Sequence, residues 1–200
     1  MLFVISGPSG AGKSTLCQQI LDDLNGLEFS VSHTTRKKRK GEVEGKDYYF
    51  VSQEEFKKMI NENRLAEWAV VHGHYYGTSR KEIEGRGATR DILLDIDIQG
   101  AQQIKEKYKK AVFVFIMPPH FHDLKRRLKA RGQESSSSVQ KRLAMACKEI
   151  RHYHKFDYVV INDKLEIAVL ELESIIRSTR CSLESRKMEI LSILRSFTGS

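Results

Sequence analysis

Hydrophobic residues in this 200-residue chain follow two patterns that alternate along the sequence. Short runs that are almost entirely apolar occupy residues 2–5, 92–94, 111–117 and 157–161. Such runs are typical of strands that are buried on both faces of a sheet. Between them, apolar residues recur every three or four positions, as Leu16, Ile20 and Leu24 do, which predicts helices. Strands that alternate with helices predict an α/β fold, in which helices cover both faces of a parallel sheet.

The pattern changes between residues 29 and 83, where the predicted elements are short. We predict strands at 29–32, 48–51 and 65–71, and a turn over 73–77 that contains Tyr75 and Tyr76. Ser52-x-x-Glu55 and Ser79-x-x-Glu82 have the spacing of a capping box, and each predicts the start of a helix. These elements predict a small lobe beside the main sheet.

The last third of the chain is predicted to be mainly helical. Two basic helices between residues 124 and 146 flank the serine tract 135–138, which we expect to be a flexible tip. This segment could be a lid that closes over phosphates or a plain surface hairpin. Downstream, Asp163 can cap a helix, and the helical pattern that follows is long enough to predict a break within 178–182. The final helix is a candidate for subunit contacts.

The first turn of the chain carries its most specific motif. Gly7, Pro8, Ser9, Gly10, Ala11, Gly12, Lys13 and Ser14 fit the pattern G-x-x-x-x-G-K-[ST], directly after the first apolar run. Glycines let successive backbone N–H groups turn toward one anion, and the following helix adds the positive end of its dipole. In this pattern the lysine reaches the β- and γ-phosphates and the hydroxyl binds Mg²⁺. We therefore predict a nucleoside triphosphate site.

Three acidic residues lie in or after predicted strands. Asp95 and Asp97 share one side of a strand near its carboxyl end, where open α/β sheets bind their ligands. They predict a role in binding Mg²⁺ or substrate. Glu67 is a lone acid in an apolar run, and its periodicity fits an outward-facing residue and a ligand-binding residue equally well.

Positive charge is concentrated in the run 36–40, where five basic residues are consecutive. A run of this kind is typical of a solvated loop, a nucleic-acid patch, a localisation signal or a phosphate clamp. The formal net charge of +8 favours polyanionic partners, but it does not separate nucleic acid from small phosphates.

Composition narrows the class of protein. Hydrophobic residues make up 40% of the chain and charged residues 30%, as expected for a single globular domain, and no apolar run is long enough to cross a bilayer. The N-terminus has no secretory signal pattern, so we expect a cytoplasmic protein without a membrane partner. The three cysteines are far apart and predict reduced thiols. Three His-x-His pairs, at 72/74, 120/122 and 152/154, lack further ligands nearby, and we interpret them as surface histidines.

Motifs along nearly the whole chain resemble those of bacterial guanylate kinases. The matching segments are 5–14, 30–36, 41–43, 45–48, 67–69, 75–80, 94–101, 131–133 and 160–163. The resemblance implies one domain over 1–200, with a P-loop core at 1–30, 88–123 and 147–200, an inserted GMP-binding lobe at 31–83 and a helical lid at 124–146. It also implies Mg²⁺-dependent transfer of the ATP γ-phosphoryl group to GMP or dGMP.

The resemblance also assigns roles to individual residues. ATP would be bound by residues 7–14 named above, by Thr15, and by Asn162 near the adenine. The GMP phosphate would be held by Arg36, Arg39, Tyr48 and Tyr76, and guanine would be read by Ser32, Glu67, Thr78 and Asp97. The catalytic residues would be Lys13, Arg36, Arg131 and Arg142, with Arg127 as a further lid arginine, and Mg²⁺ would be held by Ser14 and Asp95.

Two other functions share part of this pattern. A non-catalytic interaction module of the same fold typically loses the P-loop and lid residues, whereas this chain has Lys13, Arg131 and Arg142. A P-loop kinase with another acceptor, such as a phosphorylated sugar, should lack guanine readers, whereas Glu67 and Asp97 are present. Nucleic-acid binding explains only the charge, so we expect no nucleic-acid partner, and a homodimer or higher oligomer stays open.

The chain departs from the family in its basic run 37–40, where prolines are common, and in its serine tract, where acids are common.

Overall fold

The computed structural model describes residues 1–71, 73–85, 90–130 and 136–198, without the side chains of 130, 136–138 and 198. The strands are β1 (Leu2–Ser6), β2 (Leu27–Phe29), β3 (His33–Thr34), β4 (Tyr49–Phe50), β5 (Leu65–Val71), β6 (His74–Ser79), β7 (Asp91–Asp95), β8 (Val112–Met117) and β9 (Tyr158–Ile161). The helices are α1 (Lys13–Asp23), α2 (Gln53–Asn61), α3 (Arg80–Glu84), α4 (Ile98–Lys107), α5 (Phe121–Ala130), α6 (Ser136–Glu149), α7 (Leu165–Arg180) and α8 (Leu183–Thr198), with a 3₁₀ helix at Ile150–Lys155.

Five parallel strands form the core sheet, in the order β2-β7-β1-β8-β9. The central strand β1 is buried throughout, which explains its uninterrupted apolar run. One face of the sheet packs against α1 and α7, and the other packs against α4. The predicted α/β fold with helices on both faces is therefore confirmed. Because all five strands run in one direction, their carboxyl ends meet at one edge.

A second sheet of four short strands has the order β4-β3-β6-β5. The predicted strand at 29–32 is wrong, because β2 ends at Phe29 and β3 begins at His33. Ser30 still donates its backbone N–H to Leu93 of the core sheet, and the chain then crosses to the second sheet. The predicted turn over Tyr75 and Tyr76 is also wrong. Both tyrosines lie inside β6 and pair across to β5, and Gly73 is the one residue of the predicted range that lies in a turn.

The predicted helix starts are correct where a serine side chain caps the first turn of the helix. Ser52 accepts a hydrogen bond from the backbone N–H of Glu55, and Ser79 accepts one from Glu82, so both predicted helix starts are confirmed. The Asp163 cap is wrong, because α7 begins one residue later than that cap requires and its N-cap, Lys164, makes no side-chain cap bond. The predicted break is confirmed by the end of α7 and the start of α8.

Two peripheral helical units extend from this core. Helices α5 and α6 pack on each other through a small cluster of their own, which consists of Leu124, Leu128, Val139, Leu143 and Ala146. The predicted serine tip is wrong for residues 136–138, because α6 already begins there; residue 135 lies outside the described residues. Helix α8 leaves Leu183, Met188 and Phe197 largely exposed. None of the described helices is both long enough and apolar enough to cross a membrane.

Candidate active site

One cavity of about 820 Å³ lies where the carboxyl edge of the core sheet faces the second sheet and α6. The predicted site residues that line it are Gly7, Ser9, Lys13, Ser14, Ser32, Arg36, Arg39, Tyr48, Glu67, Tyr76, Asp95, Asp97 and Arg142. The fold therefore brings together residues from the loop after β1, from α1, from the lobe between Ser32 and β6, from the end of β7, and from α6. Arg131, a predicted catalytic residue, lies outside the described residues.

The loop between β1 and α1 can only be built with glycine at its first position. Gly7 has a φ of +145°, and a Cβ atom placed there would lie 2.2 Å from the backbone oxygen of Ile116 in β8. The loop then turns so that the Ala11 N–H donates to the Pro8 carbonyl, and α1 begins at Lys13. The Lys13 ammonium donates to the Gly7 carbonyl at 2.8 Å. The lysine thus lies across the loop that would hold the phosphates.

Asn162 supports this loop from the end of β9. Its side-chain Nδ2 donates to the Ala11 carbonyl at 2.8 Å, and the residue is only 5% exposed. Arg127 of α5 donates to the Asn162 carbonyl at 2.9 Å. Pro8, Gly10, Ala11, Gly12, Thr15 and Asn162 are not among the residues that line the cavity. The structure therefore gives the Asn162 side chain a contact with the P-loop, and its place near adenine stays a prediction.

Arg36 is held in a network of charged and aromatic side chains. Its Nη2 and Nη1 atoms donate to the two carboxylate oxygens of Glu42 at 2.7 and 3.0 Å, and its Nε donates to the Tyr76 hydroxyl at 3.2 Å. The hydrogen bonds to Glu42 raise the pKa of Arg36 and lower that of Glu42. The guanidinium also lies 5.3 Å from the centre of the Tyr48 ring. This paired geometry is the one that a guanidinium offers to two phosphate oxygens.

Tyr48 completes the wall of the cavity beside Arg36. Its ring lies 5.9 Å from that of Tyr76 in an edge-on arrangement. Burial, with a further contribution from the charge of Asp95, raises the pKa of Tyr48 to about 12. The hydroxyl therefore keeps its proton at neutral pH and can donate to a phosphate oxygen.

Glu67 is the buried acid of the site, with 3% of its surface exposed. Its Oε1 accepts a hydrogen bond from the Thr78 hydroxyl at 2.6 Å, and Thr78 itself is fully buried behind it. Burial raises the pKa of Glu67 to about 7, and the nearby charge of Asp97 adds to this effect. Asp97 caps α4, since its Oδ1 accepts from the Gly100 N–H at 2.9 Å. Two carboxylates thus face one end of the cavity.

Arg142 reaches the P-loop from α6. Its Nη2 donates to the Ser9 hydroxyl at 2.6 Å, and Glu149 at the end of α6 accepts from the Ser9 N–H at 3.4 Å. The helical pair α5–α6 therefore contacts the phosphate loop through side chains on both helices, because Arg127 of α5 also donates to the Ala11 carbonyl at 3.4 Å.

A model of the guanylate kinase family matches residues 1–179. The chain belongs to the guanylate kinase family. It is similar to guanylate kinase from Geobacter metallireducens, with 48% identity over 182 residues and 90% coverage of each chain. It is also similar to guanylate kinase from Escherichia coli K12, with 48% identity over 189 residues that cover 93% of this chain and 91% of that one. A crystal structure of guanylate kinase from Anaplasma phagocytophilum matches with a TM-score of 0.76 and 35% identity, covering 91% of this chain and 87% of that chain.

The residues predicted to hold Mg²⁺ in this guanylate kinase family member lie next to each other. Ser14, on the first turn of α1, donates its hydroxyl to the Asp95 carboxylate at 3.1 Å. Mg²⁺ is usually bound by one or two protein oxygens together with substrate phosphates and water. Ser14 and Asp95 supply one hydroxyl oxygen and one carboxylate of this kind. The donor set therefore fits the ion.

Several cavity residues were missed by the sequence analysis. They are Val71, His74, Gly77, Ile96, Lys141 and Glu149. Glu42, the partner of Arg36, was also given no role, although its segment 41–43 was one of the family motifs. The motif pointed to that segment, but only the folded loop shows that the Glu42 carboxylate binds the arginine.

Asn162→Ala is expected to weaken ATP binding more than GMP binding. The substitution leaves the buried Ala11 carbonyl without its amide donor. We expect the KM for ATP to rise about tenfold, the KM for GMP to stay within about twofold, and the free energy of unfolding to fall by about 1–3 kcal/mol. Steady-state kinetics with each substrate varied in turn, together with urea unfolding, measures these effects. An unchanged KM for ATP would contradict the supporting role.

Proposed function

We infer that the protein is an ATP:GMP phosphotransferase, which transfers the γ-phosphoryl group of ATP reversibly to GMP and produces ADP and GDP. The observation that carries this inference is one cavity lined by the P-loop, by an arginine–tyrosine cluster and by two carboxylates. Each of these parts matches one chemical feature of the two substrates. Family membership and the names of the relatives support the same activity.

The acceptor nucleotide is bound at both of its ends. Arg36, Arg39, Tyr48 and Tyr76 bind the GMP phosphate, and the Arg36 guanidinium, which Glu42 and Tyr76 hold in place, presents its positive charge to the phosphate. Glu67 and Asp97 accept hydrogen bonds from the guanine N1–H and 2-amino groups, while hydroxyl groups such as that of Ser32 donate. Adenine lacks the 2-amino donor and has the opposite pattern at position 6, so it would leave the buried Glu67 unpaired. The site therefore selects guanine by hydrogen bonding.

The transfer step needs no covalent enzyme intermediate. Backbone N–H groups of the P-loop and the Lys13 ammonium bind the ATP phosphates. Arg36 and Arg142 neutralise negative charge on the phosphoryl group during its transfer. Ser14 and Asp95 would hold Mg²⁺, which would supply positive charge to the ATP phosphates. The GMP-binding lobe aligns the acceptor oxygen with the γ-phosphorus, which lowers the entropic cost of the step.

The proposal includes a division of the domain into three moving parts. The core (1–30, 88–123 and 147–200) carries the P-loop, and the GMP-binding lobe (31–83) and the lid (124–146) close over the substrates. Closure excludes water, which would otherwise hydrolyse ATP. The separate small apolar cluster between α5 and α6 supports this division, because the pair is packed internally and can move as one unit.

The proposed partners are ATP and GMP or dGMP, and the chain itself is a candidate partner. Exposed apolar residues of α8, including Met188 and Phe197, favour self-association into a dimer or higher oligomer. Sedimentation velocity of the full-length protein tests this part of the proposal. A cytoplasmic location and the lack of a nucleic-acid partner stay predictions from the sequence.

An ADP-release assay with a panel of nucleoside monophosphates tests the proposed reaction. With ATP and Mg²⁺ present, we expect turnover with GMP and dGMP, and a kcat/KM for AMP that is lower by roughly 10³-fold or more. CMP and UMP should be equally poor, because neither presents the two adjacent donors of guanine. Absence of turnover with GMP, or equal turnover with AMP, would overturn the inference.

A further inference from the structure

We propose that one face of α4, formed by Gly100, Gln103 and Lys107, positions Glu67 and thereby sets the selectivity for guanine. These three residues touch the protein rather than the substrate, so they are positioning residues. The proposal rests on the proposed function, since it concerns how the acceptor base is chosen. Their spacing of three and four residues places them along one face of the helix.

A side chain of α4 binds the outer edge of the second sheet. Strand β5 is an edge strand, so alternate backbone groups on its outer side have no neighbouring strand to pair with. Gln103 satisfies both outward groups of Trp68: its Nε2 donates to the Trp68 carbonyl at 2.7 Å, and its Oε1 accepts from the Trp68 N–H at 3.2 Å. A single side chain thus binds the backbone in the way that an adjacent strand would.

A second side chain of α4 binds Ala66, the residue that precedes Glu67. The Lys107 ammonium donates to the Ala66 carbonyl at 2.6 Å. Both sequence neighbours of Glu67 are therefore bound by side chains of α4. Since these bonds fix the backbone before and after Glu67, they fix the direction in which its side chain leaves the strand.

The Glu67 carboxylate itself also lies close to α4. A Cβ atom at Gly100 would lie 2.3 Å from Oε2 of Glu67, so only glycine lets the carboxylate rest against the helix. The same Gly100 donates its N–H to Asp97. The first turn of α4 therefore holds the two predicted guanine-reading carboxylates next to each other.

Helix α4 also belongs to the rigid part of the molecule. Ala101 and Ile104, on the adjoining face of the helix, are buried in the cluster that contains Val4 and Leu94 of the core sheet. The helix thus connects the guanine end of the lobe to the core. Loss of a bond to β5 should let Glu67 shift, and a misplacement of about 1 Å is enough to cost a large factor in rate.

The chain offers closely matched controls on the same helix. Gln102 is exposed on α4, one residue before Gln103. Lys105 donates to the backbone carbonyl of Lys155 at 2.7 Å, which is the same type of bond as that of Lys107 but is directed away from the lobe. Gln103→Ala and Lys107→Met are therefore compared with Gln102→Ala and Lys105→Met, and Lys107→Arg tests rescue, because it keeps a donor.

The test measures kcat and KM for GMP, AMP and ATP in each variant, together with the guanosine Kd by calorimetry as a function of pH. We expect Gln103→Ala and Lys107→Met to raise the KM for GMP about tenfold, to lower the GMP-to-AMP ratio of kcat/KM, and to leave the KM for ATP unchanged. We expect the pH midpoint of guanosine binding to move as well, because the surroundings of Glu67 change. Both controls and Lys107→Arg should behave like the wild type.

Gly100→Ala provides an independent variant. Alanine is favoured over glycine inside a helix, so the substitution should not destabilise α4 itself, and its methyl group should displace the Glu67 carboxylate. It should raise the KM for GMP and lower selectivity. Equal selectivity in the Gln103 and Lys107 variants and in their controls would overturn this proposal. A wild-type protein that does not turn over GMP would instead overturn the proposed function.

Discussion

Lys13→Ala should lower kcat with saturating ATP and GMP by about 10³-fold, while the Kd for GMP should stay within about twofold of the wild-type value. Lys13 lines the part of the cavity next to the P-loop, where the proposed function places the ATP phosphates. Its ammonium donates a hydrogen bond to the Gly7 carbonyl. Removal of the ammonium takes away positive charge where the transferring phosphoryl group gains negative charge. It leaves the Arg36 cluster and the Glu67 end of the cavity intact, so GMP binding should be preserved.

The control for this variant is Lys46→Ala, because Lys46 is exposed in the loop before β4 and does not line the cavity. It should retain wild-type kcat and KM values. Single-turnover kinetics with ATP in excess measures the transfer step, and titration calorimetry with GMP alone measures binding. A Lys13→Ala enzyme whose kcat falls by less than about tenfold would show that the lysine does not stabilise the transition state.

Glu67→Gln should weaken GMP binding by about 100-fold and make the protein more stable at pH 8. Glutamine keeps the size of the side chain and can still accept the hydrogen bond from Thr78, but it has no charge and offers an amide N–H₂ where guanine needs an acceptor. Two unmatched hydrogen bonds at a buried site cost about 1–3 kcal/mol each. The substitution also removes a buried carboxylate, whose desolvation opposes folding.

The contribution of Glu67 to the stability of the folded protein changes with pH in a defined direction. The pKa of Glu67 is raised to about 7 in the folded protein, from an ordinary value near 4.5. Below pH 4.5 the residue is protonated in both the folded and unfolded states, and its burial as a neutral acid carries no ionisation cost. Between pH 4.5 and 7 the unfolded state loses its proton first, so the stability of the wild type falls as the pH rises. The stability advantage of Glu67→Gln should therefore grow over this range and reach about 3 kcal/mol above pH 7.

Binding of guanine should have the opposite dependence on pH. Only the ionised Glu67 can accept from both guanine donors, so wild-type affinity should increase as the pH rises from 6 to 8. The GMP phosphate also titrates near pH 6, and guanosine, which has no phosphate, is therefore the better ligand for this measurement. Glu67→Gln should bind guanosine weakly at every pH. Equal pH profiles for the two proteins would contradict the proposed role of Glu67.

The sequence alone was sufficient for features that depend on a few neighbouring residues. The order of the apolar core strands and the helices between them follows from hydrophobic periodicity, and the starts of α2 and α3 follow from serines that bond three residues ahead. The P-loop could be identified because its glycines, Lys13 and Ser14 lie in one short segment. The carboxylates at and just after the end of β7 could be placed near it, because the carboxyl ends of parallel strands share one edge.

Tertiary structure decided the features that depend on the path of the chain. The strand predicted at 29–32 failed because the chain changes sheets there, and Tyr75 and Tyr76 lie in β6 because a second sheet exists for them to join. The contact between Asn162 and Ala11 joins positions 151 residues apart. The environment of Glu67 depends on Thr78 and on α4, and periodicity could not show whether that acid faced solvent or the site. Periodicity and capping are properties of adjacent residues, whereas burial, pKa and side-chain direction arise from contacts that form only when distant segments pack together.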